Sequence, residues 1–254
     1  MTSRFPRPVL AIFLLAAAAC SGAEEKAPAS APANAPRVDA ATAGTILGRV
    51  AFEGDAPANP SIKMAGDPLC ANGGALTFEN YVIKDGGLDN VFVYVKDGLG
   101  TYHFDVPAEP VKLNQQGCRY VPHVLGARVG QPIEITNSDE TTHNVHSLPD
   151  ANREFNFAQY VKDQKNTETF TAPEVMVRLK CDLHGWMSAY VGVVEHPYFA
   201  VTTDGGKFEL KGLPPGEYTI ETWHEKAGRQ TQKITVGPKE TKEIGFTYQA
   251  DSAN

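Results

Sequence analysis

One thiol, two imidazoles and a thioether stand out in this chain for their order and spacing. Cys181, His184 and Met187 lie within the run Cys181-Asp182-Leu183-His184-Gly185-Trp186-Met187, and His143 precedes them in Thr142-His143-Asn144-Val145. A d⁹ copper ion favours imidazole and a d¹⁰ copper ion favours soft sulfur. A trigonal His₂Cys set with a weak axial Met accommodates both, so little rearranges when one electron is gained or lost. The four residues therefore read as ligands of a single copper ion. Rival chemistries fit less well. A dinuclear copper centre needs two bridging thiolates, and this segment holds only Cys181. A structural zinc site takes more thiolates and avoids Met. Covalent haem would need Cys-x-x-Cys-His, which the sequence lacks. No catalytic residue is assigned, and the protein is not expected to be an enzyme.

Such ligands need rigid strands to hold them. Val175, Val177, Leu179 and Cys181 alternate with more polar neighbours, so the thiol continues an apolar face and points into a core. Gly185 lets the chain turn between His184 and Met187. On the other side, Ile133 and Ile135 share a face of a strand that breaks at Asn137-Ser138-Asp139-Glu140, after which His143 opens the next strand. Short alternating runs elsewhere, such as Ile46 to Phe52 and Val91 to Val95, are separated by Gly and Pro turns. That pattern predicts an all-β protein of sandwiches or barrels. The segment 151–165 is the one place where a short helix or irregular loop is expected.

The strand ending in Asn137, the polar loop and His143-Asn144, followed by the Cys181–Met187 loop, resemble the cupredoxins. The short loop is most similar to the amicyanin type. Tyr120-Val121-Pro122 and Ala127-Arg128-Val129-Gly130 also look like the run that precedes the first ligand strand in that family. The resemblance implies a Greek-key sandwich with copper on His143, Cys181, His184 and Met187. It also implies that Asn144 ties the His143 loop to the Cys181 loop, that His184 is the exposed edge through which electrons leave, and that an apolar collar including Trp186 docks the partner. His123 and His146 are candidates for an extra metal position. The end of the chain, Thr203-Asp204-Gly205-Gly206-Lys207-Phe208-Glu209-Leu210 and Leu213-Pro214-Pro215-Gly216-Glu217-Tyr218, resembles the carboxypeptidase regulatory-like (transthyretin-like) sandwich. Gly48-Arg49-Val50 and the strand near Asn90 to Lys96 look like its first strands. The resemblance implies one sandwich split into 44–115 and 197–250, with the copper domain, 116–196, inserted between the halves.

The first 19 residues read as a signal peptide: Arg4 and Arg7, then an apolar run too short to span a bilayer. Cys20 follows small residues, similar to a bacterial lipobox, which implies lipidation and a membrane tether. Residues 20–43, rich in Ala and Pro, read as a disordered stalk. Export makes the cysteine count informative. Of four cysteines, Cys20 takes lipid, and Cys70 with Cys118 is the expected disulfide in an oxidising compartment. Cys181 then stays free for metal, whereas a bridge to Cys181 would abolish the site. The net charge of −7 and the lack of a basic run argue against nucleic acid as a partner.

The expectation is thus a periplasmic or cell-surface, membrane-anchored copper protein. It would pass single electrons to or from a redox partner such as a c-type cytochrome. Two alternatives stay open: copper capture for resistance or delivery, and a partner- or carbohydrate-binding sandwich with incidental copper.

Overall fold

The computed structural model describes Met1, residues 35–64 and residues 66–250. The signal segment, Cys20 and the first part of the expected stalk lie outside the described residues. The protein is all-β. In chain order the elements are β1 (Gly44–Glu53), α1 (Pro68–Asn72), β2 (Ile83–Lys84), β3 (Gly87–Leu88), β4 (Phe92–Asp97), β5 (Val111–Gln115), β6 (Tyr120–Val121), β7 (Val124–Arg128), β8 (Ile133–Asn137), β9 (His143–Leu148), β10 (Asn156–Gln159), β11 (Lys165–Glu168), β12 (Glu174–Lys180), β13 (Ser188–Val194), β14 (Phe199–Val201), β15 (Lys207–Leu213), β16 (Gly216–His224), β17 (Gly228–Val236) and β18 (Thr241–Gln249).

These strands form four sheets in two sandwiches. The outer sandwich pairs β1 with β15, β3 and, in parallel, β18; its second sheet runs β14-β4-β16-β17. Strands from both ends of the chain therefore hydrogen-bond to each other across the intervening residues. The inserted sandwich has one sheet ordered β10-β9-β12-β13-β7 and a second ordered β11-β8-β5-β6. The inserted unit starts earlier than the expected position 116. Val111 to Gln115 pair with Ile133 to Asn137, so β5 belongs to the inserted sandwich and not to the outer one.

Alternation decides which way each strand faces. On β1, Ile46, Val50 and Phe52 enter the outer core. On β4, both faces are buried: Val93 and Val95 face the outer core, while Phe92 and Tyr94 face the inserted sandwich. On β13, Ala189, Val191 and Val193 face the inserted core, and Tyr190 and Val194 face back toward β4. The two sandwiches are thus joined sheet on sheet. Gly126 and Gly192 sit opposite each other on β7 and β13. A Cβ at Gly192 would lie 2.3 Å from Phe92, and one at Gly126 would lie 2.3 Å from Phe199. The paired glycines form the flat seat on which these two stacked rings rest.

Two local expectations are corrected. Residues 151–165 contain β10 and no helix; the one helix among the described residues is α1, in the β1–β2 loop. Its signal is Asp67-Pro68: an Asp side chain caps the first amides and Pro occupies a first-turn position that needs no donor. Part of the expected stalk is also held on the outer sandwich, because Pro36 O accepts from His103 N and Arg37 pairs with Asp105 at 2.6 Å.

Candidate metal centre

His143 opens β9, directly after the loop that follows β8. Asn137, wholly buried at the end of β8, shapes that loop: its Nδ2 donates to Thr141 O (2.9 Å) and its Oδ1 accepts from Asp139 N (3.0 Å). Gln159 is paired with His143 across β9 and β10 and is wholly buried. Cys181 follows β12 at the end of the row Val177 and Leu179, and all three belong to the inserted core. Val175, expected on the same face, packs instead with the cluster between the sandwiches, because the register shifts between Glu174 and Val177. The turn after it is closed by Met187 N donating to His184 O (2.9 Å) and Cys181 N donating to Met187 O (3.3 Å). These strand ends bring His143, Cys181 and His184 together, with exposures of 0%, 1% and 5%; Met187, at 1%, lies in the same core cluster as Cys181.

The donor atoms face one another. His143 Nδ1 is 3.0 Å from His184 Nδ1, and Cys181 Sγ is 3.8 Å from His184 Nδ1. The three ligand atoms lie within 4.8 Å of one another. Bonds of about 2.0 Å from nitrogen and about 2.3 Å from sulfur to one ion need donor spacings of this order.

Carboxylates set the direction of both rings. His143 Nε2 lies 2.8 Å from Asp139 Oδ2, and His184 Nε2 lies 2.9 Å from Asp67 Oδ2. An ionised carboxylate only accepts, so each Nε2 carries a proton, and Nδ1 is the nitrogen of each ring left to bind a metal. Two Nδ1 atoms and a thiol thus converge in one buried pocket, a donor set able to hold a cation. The electrostatics agree. Burial works to raise the Cys181 thiol, but hydrogen bonds from His143 and His184 outweigh it and pull it down to about 6. Burial works to lower His143, but Asp139 and Cys181 outweigh it and push the imidazole up to about 9. Cys181 raises His184 against burial, with help from Asp67. In the metal-free protein the pocket therefore favours a Cys181 thiolate beside a protonated imidazole, and a metal ion bound there would displace that proton. His₂Cys with Met187 suits copper.

Asn144 ties the two ligand loops together. Its Oδ1 accepts from Asp182 N (2.9 Å), and its Nδ2 donates to Asn156 Oδ1 (2.6 Å) and Phe157 O (3.1 Å). The Tyr120 hydroxyl donates to Asn144 O (2.5 Å).

The surroundings of His184 differ from the expectation of an exposed edge. The loop between β1 and β2 reaches over from the outer sandwich and covers it. Cys70, in α1, forms a disulfide with Cys118, and Cys70 Sγ lies 4.0 Å from His184 Nε2. Trp186 does not form an open collar; it packs on Met64, Cys70 and Cys118, and its Nε1 donates to Cys118 O (3.1 Å). Large apolar side chains that remain exposed on the loops around the ligands include Leu69 and Leu183, at 55% and 58%, and Tyr160, at 70%.

His123 and His146 lie outside the ligand cluster. His123 Nε2 is 2.6 Å from Glu225 Oε1 and its Nδ1 is 3.1 Å from Ser188 O, so it bridges the two sandwiches. His146 sits between Asp182 (2.9 Å) and Glu154 (2.7 Å), using a different ring nitrogen for each. Sequence reasoning missed both Asp67 and Asp139. The position of Asp139 four residues before His143 was a usable signal; for Asp67 the only local sign was its capping position before Pro68.

No family model and no curated protein matches the chain. Solved structures similar to it include a copper-containing nitrite reductase, a purple cupredoxin and variants of amicyanin. A Cu-containing nitrite reductase from Thermus scotoductus SA-01 shares 22% identity over 37% of this chain, with a TM-score of 0.32; the chain spans about a quarter of its length (24%). A purple cupredoxin from Nitrosopumilus maritimus shares 20% identity over 33% of this chain and 98% of its own, with a TM-score of 0.29. The Cu(I) form of an amicyanin variant shares 23% identity over 35% of this chain and 86% of its own, with a TM-score of 0.31.

Proposed function

We propose that the protein is a one-electron carrier in which His143, Cys181 and His184 would hold a single copper ion, with Met187 as a weak fourth ligand. The observation that carries this reading is the convergence of both Nδ1 atoms and the Cys181 sulfur in one buried pocket, with both Nε2 protons already committed to carboxylates. Copper, when bound, supplies the one-electron couple. The chain's own residues do the rest. Strand ends β9 and β12 hold the ligands before any ion arrives. The apolar core below Cys181 and the loop above His184 exclude water. Asp139 and Asp67 keep each imidazole proton away from the pocket. A preformed, dry site changes little between oxidation states, which is what fast transfer requires.

The site's cover bears on the alternative of copper capture. A ligand set closed by a disulfide-bonded loop favours retention over exchange, so the carrier reading is preferred. The same cover moves the docking face: a partner, such as a c-type cytochrome, would meet α1 and Leu183 and not His184 itself. In this reading the protein is exported, tethered to a membrane through Cys20, and carries its copper unit within a carboxypeptidase regulatory-like sandwich.

Addition of one equivalent of Cu(II) to the pure protein should give an intense thiolate-to-copper band in the visible spectrum, and Cys181→Ser should abolish it. A folded wild-type protein with its thiol reduced and no such band would defeat the copper reading.

A further inference from the structure

The inserted sandwich contains all four proposed ligands, yet a carboxylate from the other sandwich sits against one of them. Asp67 is 117 residues from His184 in sequence. Its two oxygens have separate tasks. Oδ1 accepts from Leu69 N (2.8 Å) and Cys70 N (3.2 Å) and so caps α1. Oδ2 faces the metal centre, where it accepts from Thr141 Oγ1 (2.8 Å) and lies 2.9 Å from His184 Nε2. A helix cap needs only the first oxygen. The second is placed by the cap itself, by the disulfide from Cys70 to Cys118 and by the packing of Trp186 against that disulfide.

We propose that Asp67 is a positioning residue of the metal centre, supplied by the outer sandwich. A neutral imidazole carries one proton. Holding it on Nε2 leaves the Nδ1 lone pair pointing into the pocket, and the adjacent negative charge makes that lone pair a stronger donor. Asp139 does the same for His143 from within the inserted sandwich. With Asp67 in place the two rings are equivalently oriented, and the added negative charge favours Cu(II) over Cu(I). The ligand shell is therefore complete only when both sandwiches contribute. The split arrangement then has a chemical purpose: the β1–β2 loop leaves the outer sandwich, closes the copper pocket and sets its affinity. This inference rests on the copper reading.

The test separates the two oxygens in the full-length chain. Asp67→Asn retains an acceptor for the Leu69 and Cys70 amides but turns an NH₂ group, itself a donor, toward His184 Nε2–H. Cu(II) affinity should fall by about tenfold to a hundredfold, the range seen when such outer partners are lost. The reduction potential should rise, and the metal-free protein should stay folded with a midpoint modestly below wild type, because Thr141 and His184 lose their shared acceptor. Asp67→Ser, which can cap a helix but cannot reach His184, should lose the same affinity. A readout without copper accompanies these. In ¹H–¹⁵N spectra of the metal-free protein, the hydrogen-bonded His184 Nε2 proton should be observed in wild type and exchange away in Asp67→Asn. A missing visible band in wild type would defeat the copper reading alone, and the spectra would still judge the Asp67–His184 contact. Wild-type affinity, potential and Nε2 proton in both variants would overturn the proposal and leave Asp67 as a helix cap only.

Discussion

At the scale of single residues, the candidate metal centre is framed by side chains whose hydrogen bonds are already assigned. Asn144 is the clearest case. It follows His143, holds the Asp182 amide beyond Cys181, and reaches Asn156 and Phe157 on the neighbouring strand β10. Removing it leaves the Asp182 amide without its acceptor beside a ligand that must not move. Asn144→Ala should cost about 1–3 kcal/mol of stability, the usual penalty for a partly buried donor left unpaired. The same variant should shift the thiolate-to-copper band, because the Cys181 sulfur loses a restraint on its position. Denaturant titration and the visible spectrum check the two effects separately. A band and a midpoint both equal to wild type would show that Asn144 merely shapes a turn.

At the scale of elements, strand alternation explains the direction of the thiol, and close packing explains the seat between sandwiches. The face of β12 that carries Val177 and Leu179 continues into Cys181, as its apolar period implies. The run Val91 to Val95 also reads as a strand, but its period leaves open that both faces are covered. That is settled by Phe92 and Tyr94 meeting β7 and β13 of the other sandwich. The seat depends on glycine. A Cβ at Gly192 would be met by three atoms of the Phe92 ring, the farthest only 2.7 Å away. Phe92 is itself wholly buried and cannot withdraw. Gly192→Ala should therefore destabilise by about 1–3 kcal/mol, as overpacked cores do. A change on an open face of β17, such as Gln232→Ala, should leave the midpoint within roughly 0.5 kcal/mol. Equal effects at the two positions would contradict the packed joint.

At the scale of the whole molecule, two buried histidines of the outer sandwich and its border should make stability depend on acidity. His196 Nε2 lies 2.8 Å from Val95 O, and its Nδ1 accepts from Tyr198 N (3.2 Å). His224 Nδ1 accepts from the amides of Lys226 and Ala227. Both rings are thus used as neutral imidazoles, and burial lowers each to about 4. A folded pKa below the unfolded value of 6.5 means that the stabilisation is complete above pH 6.5. It is lost as the pH falls toward 4, where the unfolded chain binds protons that the folded chain refuses. The shift corresponds to about 3 kcal/mol at each site. Chemical denaturation at pH 7 and pH 4.5 should show the loss, and His196→Gln should remove about half of it and leave the share of His224. His143 acts in the opposite sense in the metal-free protein: its contribution is complete below pH 6.5 and fades as the pH rises through about 9, outside this window.

The proposed ligands could be read from the sequence because ligand type and spacing are local properties. His143, Cys181, His184 and Met187 lie at strand ends and in one short loop, and the apolar alternation before Cys181 already aims it inward. The all-β class was legible for the same reason, since a period of two survives in any short window. Cys70 and Cys118 were paired by counting thiols, with no knowledge of distance. What the tertiary structure alone decided are the meetings between distant segments. The strand Val111–Gln115 reads equally well in either sandwich until its partner at Ile133–Asn137 is known. His184 reads as an exposed edge until the loop carrying α1 is seen to lie over it. Asp67 carries in sequence only the mark of a helix cap, because one oxygen serves its own neighbours. The other oxygen serves a ring 117 residues away, and a contact of that range leaves no periodicity to find.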